Sequence, residues 1–336
     1  MESKKIRYGI IGYGLFAERT IAPAIQASPN SSLVAIQKRS LEAAKAKAAG
    51  LSIPHAFSTA DELVSCKDVD AVFIASANCA HHDAAISAAR AGKHVLVEKP
   101  MAMNSSEARR MIDECDRNRV KLMVGHNVRF SPVVRHIRDL IQSGQLGRIV
   151  SVRSDYTYDA RLSKRAWLLD RTIAGGGPVF DIGVHCLDTL CYVLNDRVRS
   201  VRSHLSPSPT STQTESAAAL SLQFSAGTVG TINCSFEGPS RNIIIEVIGM
   251  EGIARAYDFT LSDFRTTLEV VHRPDGSVPL KLLKEFVAPN LYVDEITAFS
   301  QCILVDGQSP ISGADGLHNQ LVLDAAMNGG GTISHS

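Results

Sequence analysis

Residues 6–17, IRYGIIGYGLFA, decide the fold of the N-terminal part of this chain. An apolar run ends at Gly12, and Gly14 and Ala17 follow it directly before a segment with helical spacing. In such a strand–loop–helix unit the first glycine permits a tight turn, the second lets another molecule approach the backbone, and the alanine keeps the helix close to the strand. Because the free N–H groups at the start of a helix attract anions, this stretch predicts a site for the pyrophosphate of a dinucleotide.

The first 125 residues alternate between short apolar runs and helical segments. The predicted strands cover residues 6–11, 33–37, 69–75, 94–98 and 121–125. The predicted helices cover residues 17–28, 41–49, 61–65, 81–91 and 105–118. Strands separated by helices of this length imply right-handed crossovers and a parallel sheet. Pro23 lies inside the first of these helices, where it costs about 3 kcal/mol, so we expect a kink or a restarted helix there.

The pattern changes after a further helix predicted over residues 133–143. Short turns separate apolar, partly alternating runs, and the predicted strands cover residues 149–158, 198–205, 216–224, 228–236, 243–249, 253–259 and 267–272. Closing helices are predicted over 294–305 and 313–328. The fold class is therefore α/β: a doubly wound parallel sheet over residues 1–125, then an α+β domain with a large, open, mostly antiparallel sheet over 126–336. The last helix can pack back on the first domain.

Composition narrows the class of protein. The chain has 336 residues, with 35 basic and 34 acidic side chains, and its formal charge is +1. The absence of a long basic run argues against a nucleic-acid partner. Seven cysteines without a CxxC pair indicate reduced thiols, with neither a disulfide framework nor a metal site. We see no signal peptide and no apolar run of about 18 residues, and we therefore expect a cytoplasmic protein that does not contact a membrane.

The end of the second strand bears on which dinucleotide binds. A chain that binds NAD places a carboxylate there to accept both ribose hydroxyls, whereas residues 37–40 are QKRS. Arg39 can hold a 2′-phosphate bidentately, Ser40 can donate a hydrogen bond to it, and Lys38 adds positive charge. The alternative is an ordinary solvated basic turn. The residues favour NADP(H) over NAD(H).

Several motifs resemble one family over nearly the whole chain. They are DAVFIA at 70–75, Asn78, His81, AGKHVLVEKP at 91–100, NVRFSP at 127–132 and GGGPVFDIGVH at 175–185. Together they resemble the Gfo/Idh/MocA oxidoreductases. The resemblance implies a Rossmann domain followed by an open sheet, whose exposed face commonly pairs subunits into homodimers or homotetramers.

The resemblance also implies candidate cofactor contacts. It places Lys99 at the reacting oxygen and the nicotinamide, and His81 near the nicotinamide pocket. The cofactor-binding candidates are Gly12, Tyr13, Gly14, Leu15, Phe16, Lys38, Arg39, Ser40, Ala75, Ser76, Asn78, His81, Glu98, Lys99, Asn127 and Trp167. In one respect the chain departs from the family, whose members often have arginine directly after this tryptophan. Leu168 stands there instead, and either Arg165 or Arg171 could replace that arginine.

Asp181 and His185 are four residues apart on a helix that Pro178 begins, so both are expected on one face. Histidine can take and return a proton near neutral pH, and a carboxylate one turn away can orient it. Two alternatives remain open: metal ligands together with Asp188, or a capping aspartate beside a core histidine.

Substrate contacts are expected from Lys99, Tyr158, Arg165, Asp181 and His185. The surrounding segment is polar and basic, and it includes Tyr156, Arg161 and Lys164. It could bind a polyol or an anionic sugar, or it could form a basic loop.

These candidates predict a catalytic function. Lys99, Asp181 and His185 are expected to converge at one cleft, where hydride moves between NADP(H) and a hydroxyl or carbonyl carbon of a sugar or cyclic polyol. One alternative is a redox-neutral lyase or glycosidase with a tightly bound dinucleotide. The other is a non-catalytic NADP(H) sensor, which would be expected to lack the lysine or the histidine.

Overall fold

A computed structural model describes residues 4–160, 163, 165–273 and 278–334. The candidates Arg161 and Lys164 lie outside the described residues. The chain divides into two compact units, one made of Met1–His126 and Tyr292–Gln320, the other of Asn127–Leu291 and Leu321–Ser336.

The first part of the chain forms short parallel strands that alternate with helices. The later part forms mostly longer strands. Up to residue 126 they are β1 (Ile6–Ile11), α1 (Ala22–Ala27), β2 (Ser31–Gln37), α2 (Leu41–Gly50), β3 (His55–Phe57), α3 (Ala60–Val64), β4 (Ala71–Ile74), α4 (His81–Arg90), β5 (His94–Glu98), α5 (Ser105–Arg117) and β6 (Leu122–Gly125). After residue 126 they are α6 (Pro132–Gln142), β7 (Ile149–Thr157), α7 (Arg171–Ala174), α8 (Val184–Leu194), β8 (Val198–Ser206), β9 (Ala217–Phe224), β10 (Val229–Ser235), β11 (Asn242–Gly249), β12 (Gly252–Tyr257), β13 (Phe264–His272), β14 (Leu280–Ala288), α9 (Leu291–Leu304), α10 (Gly313–Met327) and β15 (Gly330–Thr332).

The first unit contains a six-stranded parallel sheet in the order β3-β2-β1-β4-β5-β6. Strand order reverses at β1, which pairs with β2 on one side and with β4 on the other. Ligands of open α/β sheets bind beyond the carboxyl ends of the strands at such a reversal, and residues 12–17 follow β1 at this end. The predicted parallel sheet is confirmed, although the short strand β3 was not predicted.

The helix after the glycine loop accommodates Pro23 by changing its winding. Residues Ala17–Ile21 form a π-helical turn, in which the Ala22 N–H donates to the carbonyl of Ala17, and α1 then begins with Pro23 in its first turn. Proline lacks an N–H and its ring clashes with a carbonyl one α-turn back, and a restart at this point avoids both costs. The predicted restart is confirmed.

Helix α9 belongs to the first unit and not to the expected domain 126–336. The Tyr8 hydroxyl on β1 lies 2.9 Å from that of Ser300, and the Asn30 side-chain amide donates to the Thr297 carbonyl at 3.0 Å. Phe299 and Glu295 of α9 are fully buried. These contacts join residues far apart in sequence, which is why residues 292–320 group with the N-terminal sheet.

The second unit contains a nine-stranded sheet in the order β14-β13-β12-β11-β7-β10-β9-β8-β15. Among the strands that the structure describes, only β7 and β10 pair in parallel, and the other pairs are antiparallel, as the pattern predicts. Strands β14 and β15 were not predicted. The helical stretch Arg171–Leu194 passes a length-and-composition test for a membrane span, but 83% of its apolar window is buried inside the protein. Its apolarity is that of a core helix.

Candidate functional site

The glycine loop has a backbone that only glycine fits at its first position. Gly12 has φ of +81°, and a Cβ atom there would lie 2.6 Å from the backbone nitrogen of Ser76. At Gly14 a Cβ atom would meet only the carbonyl oxygen of Gly12, at 3.9 Å, so the space above this exposed residue is open. The buried hydroxyl of Ser76, facing the loop, has no hydrogen-bond partner among the described residues. An open backbone beside an unsatisfied donor fits a dinucleotide phosphate.

Gln37 at the end of β2 braces this loop, a role that the sequence did not suggest. Its side-chain oxygen accepts the N–H of Gly12 at 3.0 Å, and its side-chain amide donates to the Ser58 carbonyl at 2.8 Å. Its backbone carbonyl accepts the N–H of Tyr13 at 2.9 Å. Gln37 therefore stands where a ribose-binding carboxylate would otherwise be expected, and its side chain is used within the protein.

In the predicted basic turn after β2, some side chains contact the protein itself and one is exposed. The Lys38 ammonium donates to the Tyr13 carbonyl at 2.7 Å and lies 5.5 Å from the centroid of the Tyr13 ring. The hydroxyl of Ser40 accepts the N–H of Ala43 at 3.2 Å and caps α2. Arg39 is exposed. Lys38 thus stabilises the glycine loop through Tyr13, and Arg39 is the cation that this turn presents to solvent.

The other loop candidates differ in accessibility. The side chain of Tyr13 is 2% exposed and its backbone N–H and carbonyl are both engaged, whereas Leu15 and Phe16 are exposed. The Phe16 ring meets the ring of Tyr292 edge to face at 5.7 Å. Of these three side chains, only Leu15 and Phe16 are accessible to a ligand.

His81 joins the two segments expected around the nicotinamide. It is 1% exposed, with Nδ1 at 2.9 Å from the Pro100 carbonyl and Nε2 at 3.1 Å from the Ser76 carbonyl. Burial lowers the pKa of His81, against the opposing effect of both carbonyls. Its ring nitrogens are thus engaged by the protein, and His81 acts on the pocket by tying Pro100 to Ser76. The backbone N–H of Ala75, directly after β4, donates a hydrogen bond to the Ile11 carbonyl. Asn78 is buried.

Lys99 follows β5 directly and precedes a cis peptide bond to Pro100. Its backbone N–H donates to a side-chain oxygen of the buried Glu98 at 3.2 Å. Below this strand end lies Glu295 of α9, fully buried, with neither carboxyl oxygen hydrogen-bonded among the described residues. Burial, and then the charge of Glu98, raise the pKa of Glu295 well above its ordinary value, so the structure favours the neutral acid at this position.

In the second unit Asp181 lies at the centre of a hydrogen-bonded cluster. Residues Val179–Gly183 form a π-helical turn that continues into α8, and Asp181 is 5% exposed within it. Both guanidinium Nη atoms of Arg165 lie 3.0 Å from the Asp181 carboxylate, and the Tyr158 hydroxyl donates to it at 3.0 Å. Arg165 also reaches the Tyr158 oxygen at 3.1 Å. The structure thus brings three of the predicted substrate residues together.

The charges in this cluster are mutually compensated. Burial raises the pKa of Tyr158, and the negative charge of Asp181 raises it further. Burial opposes the charge on Arg165, but the charge and hydrogen bonds of Asp181 raise the pKa of Arg165 overall. Arg165 is therefore the cation that meets Asp181. Arg171, the other candidate, donates to the Thr210 carbonyl at 2.9 Å.

His185 follows one turn after Asp181, half-buried, with its ring 6.5 Å from that of Tyr156. Trp167 packs against the same core, and Asn127 is buried in this unit. Asp188, the third residue of the metal alternative, is 1% exposed and accepts from Nε and Nη2 of Arg129 at 2.8 and 2.6 Å. A carboxylate already paired with a guanidinium is a poor metal ligand, and this argues against the metal interpretation.

Another group of potential metal ligands belongs to the first unit. Side-chain atoms of His55, Cys66 and Asp68 lie within 4.8 Å of one another. Asp68 already pairs with His55 at 2.8 Å and with Arg7 at 3.1 Å. Its charge is thus shared between two neighbours of the protein itself.

Comparisons with known proteins show the family of the chain. A family model described as "Oxidoreductase family, NAD-binding Rossmann fold" matches residues 6–126, and one described as "GFO/IDH/MocA C-terminal domain" matches residues 134–255. A 1,5-anhydro-D-fructose reductase of Ensifer adhaerens is 31% identical over 317 residues, which cover 93% of this chain and 92% of that protein.

Two further relatives are similar over nearly their full lengths. The D-xylose 1-dehydrogenase (NADP(+)) 2 of Haloferax volcanii is 28% identical over 90% of each chain. The crystal structure of an aldose-aldose oxidoreductase from Caulobacter crescentus, complexed with glycerol, is 26% identical, with a TM-score of 0.87 over 98% of this chain and 100% of that one.

The fold, the glycine loop and these matches define an oxidoreductase whose Rossmann domain binds a nicotinamide dinucleotide. The chain belongs to the Gfo/Idh/MocA family, as its motifs predicted. It is a nicotinamide-dependent dehydrogenase or reductase.

Proposed function

We propose that this chain prefers NADP(H) and transfers a hydride between the nicotinamide and a hydroxyl or carbonyl carbon of a neutral sugar or cyclic polyol. The observation that carries the proposal is the cluster in which Arg165 and Tyr158 hold Asp181, one helical turn before His185. The relatives' names support the substrate class, since they act on an anhydrosugar, an aldopentose and aldoses.

The preference for NADP(H) is supported by the turn after β2. Residues 37–40 supply no carboxylate, and Arg39 is exposed beside the glycine loop. A relative with NADP(+) in its name points the same way. Since Lys38 is engaged by Tyr13, Arg39 is the residue expected to discriminate between the two dinucleotides.

A neutral substrate is supported by the charge balance around Arg165. A bidentate pair with Asp181 uses two guanidinium donors and cancels the charge of Arg165 locally. An anionic sugar would meet the carboxylate and the guanidinium together and would gain little net attraction. Hydroxyl groups, by contrast, can donate to Asp181 and accept from the remaining N–H groups of Arg165.

The chemistry assigned to the chain's own residues is proton transfer and charge stabilisation. The bound dinucleotide supplies the hydride acceptor or donor. His185 is proposed to accept the proton of the reacting hydroxyl and to return it in the reverse direction. Asp181 is proposed to orient His185 and to stabilise its protonated form.

Lys99 is proposed to donate a hydrogen bond to the reacting oxygen and to stabilise the negative charge that develops there. Its backbone N–H is fixed on Glu98, and the carbonyl of the following residue, Pro100, is fixed on His81. The backbone is therefore held at Lys99 and one residue after it, and this limits where the lysine side chain can reach.

The proposal is tested with a panel of neutral sugars, cyclic polyols and sugar acids, each with NADP⁺ and with NAD⁺. Reduced nicotinamide is followed by absorbance, and Lys99→Ala and His185→Ala serve as variants. We expect a neutral substrate to be oxidised fastest with NADP⁺, and kcat in both variants to fall by about a hundredfold or more. Retained kcat in both variants, or turnover of a sugar with no net change in nicotinamide, would contradict it.

We also propose that a second copy of this chain covers the open face of the nine-stranded sheet, giving a cytoplasmic homodimer or homotetramer that binds neither nucleic acid nor membrane. The strand registers put Val229, Tyr257, Leu283 and Val287 on that face, each between 47% and 66% exposed. Apolar area of this kind usually marks an interface. Sedimentation of the purified chain tests it, and a monomer at micromolar concentration would refute it.

A further inference from the structure

Glu215 is a buried acid to which neither the motifs nor the proposed chemistry assign a role. It lies two residues before β9, is fully buried, and its side-chain oxygen accepts the backbone N–H of Val179 at 3.1 Å. Val179 begins the helical segment that carries Asp181 and His185. Because the first N–H groups of a helix have no partner within the helix, an acceptor at this position fixes where the helix begins.

The neighbours of Glu215 contact the other side chains of the site. The Thr214 hydroxyl donates to the Leu168 carbonyl at 3.2 Å, in the short helix that follows Arg165. The Ser216 carbonyl accepts the N–H of Phe236 at 2.8 Å. The Phe236 ring packs edge to face on Tyr158, with centroids 5.4 Å apart. Residues 214–216 therefore touch the elements that position Arg165, Tyr158 and Asp181.

The triple glycine before the helix lets this support come close. A Cβ atom on Gly177 would lie 2.0 Å from the backbone carbonyl oxygen of Glu215. No side chain fits such a contact, so the triple glycine and residue 215 meet backbone to backbone. The close approach delivers the Glu215 carboxyl group to the first turn of the helix.

We propose that Glu215 is a positioning residue for the reaction: its carboxyl group fixes the first turn of the helical segment 179–194, and so places Asp181 and His185. The inference rests on the proposed function for its catalytic consequence. Negative charge is favourable at a helix N-terminus, where the backbone dipoles leave partial positive charge. Burial raises the pKa of Glu215. The N–H groups of Gly177 and Val179 and the charge of Arg171 oppose that rise. The buried Cys234 thiol also faces the Glu215 carboxyl group.

Amide hydrogen exchange in the wild-type protein tests the structural part without any assay of activity. We expect the Val179 amide to exchange about a hundredfold more slowly than an unstructured amide, although its position in the helix offers no intrahelical partner. In Glu215→Leu, which keeps a buried side chain of similar volume but no acceptor, exchange at residues 179–185 should rise by about tenfold. Unchanged exchange in this variant, or rapid Val179 exchange in the wild type, would overturn the proposal.

Kinetics test the catalytic part. At a temperature well below unfolding, Glu215→Leu is expected to lower kcat by about tenfold or more, while Glu215→Gln, which keeps the acceptor, stays within about threefold of wild type. Dinucleotide Kd should not change, because the glycine loop belongs to the other unit. Glu251→Gln, the same chemical change at an exposed site, is the control.

A kcat for Glu215→Leu within about twofold of wild type would refute the positioning role, since packing alone is preserved in that variant. Should Glu215→Leu fail to fold, the wild-type exchange at Val179 and the kcat of Glu215→Gln still decide. If the wild-type chain oxidises none of the sugars or polyols, the proposed function fails. The exchange measurements then still test, independently of activity, whether Glu215 fixes the first turn of the helical segment.

Discussion

The two glycines of the nucleotide loop differ in what a methyl group would meet, and this difference makes a paired prediction. Gly12→Ala forces an alanine to φ of +81° and puts its Cβ atom 2.6 Å from backbone atoms of Ser76. Gly14→Ala adds the same methyl group where the nearest atom is 3.9 Å away. The first substitution should therefore damage the fold, and the second only the binding of a dinucleotide.

The magnitude for Gly12→Ala follows from two terms. A left-handed backbone costs an alanine about 1–2 kcal/mol. Carbon atoms pack at about 3.5–4.0 Å, so the Ser76 backbone must move by about 1 Å, which as an overpacking strain costs about 1–3 kcal/mol. Against these two terms, the lower entropy of the unfolded alanine chain offsets about 0.4–1 kcal/mol. We expect a net loss of about 1–4 kcal/mol, and a fall in Tm of about 3–12 °C.

For Gly14→Ala the free protein should keep its Tm within about 2 °C of wild type. The added methyl group occupies the open space over the loop, so we expect Kd for NADPH to rise by about tenfold or more, equivalent to about 1.4 kcal/mol. Differential scanning calorimetry without ligand and isothermal titration with NADPH and NADH measure the two effects separately. Equal Tm for Gly12→Ala and wild type would refute the steric reasoning, and an unchanged Kd for Gly14→Ala would refute the assignment of the open space.

Three further predictions concern charged residues. Arg165→Lys cannot make the bidentate pair with Asp181, so steady-state kinetics should show kcat/KM lower by about tenfold with unchanged dinucleotide Kd; full activity would contradict the role of the pair. Glu295 has a folded pKa above its ordinary 4.5, so it favours folding most below that pH and this contribution is lost as pH rises. Calorimetry between about pH 5 and pH 8 should therefore show a smaller loss of Tm in Glu295→Gln than in wild type, and parallel curves would contradict it. Asp188→Ala leaves the guanidinium of Arg129, 12% exposed, without its carboxylate, and chemical unfolding should show a loss of about 3–5 kcal/mol; a loss below about 1 kcal/mol would refute this.

The first unit was largely predictable because its signals are local. Apart from the three-residue strand β3, each strand and helix of the first 125 residues has its own pattern of apolar residues, and the glycine loop identifies the strand after which the ligand binds. The return of α9 to this unit was not predictable in the same way. It depends on contacts such as that between Tyr8 and Ser300, which lie 292 positions apart and leave no periodic trace.

The missed strand β14 shows where periodicity fails. Its sequence, LKLLKEFVA, does not alternate, and Leu280, Leu282 and Leu283 are all more than half exposed. At the edge of a sheet neither face is fully buried, so selection for alternating side chains is weak. Charged residues such as Lys281 and Lys284 suit an edge and hide it from pattern analysis.

In the site, residue types were easier to predict than their partners. Asp181, Tyr158 and Arg165 were identified as candidates, but only the structure distinguishes Arg165 from Arg171 as the partner of Asp181. Lys38 was expected to face a phosphate and instead holds the Tyr13 carbonyl. The partner of a polar side chain depends on where that side chain is buried, and its burial depends on the whole fold.

The same limit explains why two supporting residues were missed. Gln37 and Glu215 both stand in polar stretches, where glutamine and glutamate are ordinarily exposed. Each instead turns inward to accept backbone N–H groups, at Gly12 and at Val179. A sequence signal exists only in hindsight, in that each glycine-rich loop requires a nearby acceptor for the N–H groups that it presents.

Two separate segments of the chain form the first unit, and this affects the order in which the protein can fold while it is synthesised. Until α9 has been made, Tyr8 lacks the hydroxyl of Ser300, and the Asn30 amide lacks the Thr297 carbonyl. The parallel sheet must therefore wait, incompletely covered, while the nine-stranded sheet is translated. At about 5–20 residues per second that interval lasts roughly ten seconds or more. A nascent chain of this design therefore exposes uncovered apolar surface for longer than a chain whose domains are each one continuous segment, and such surface favours aggregation.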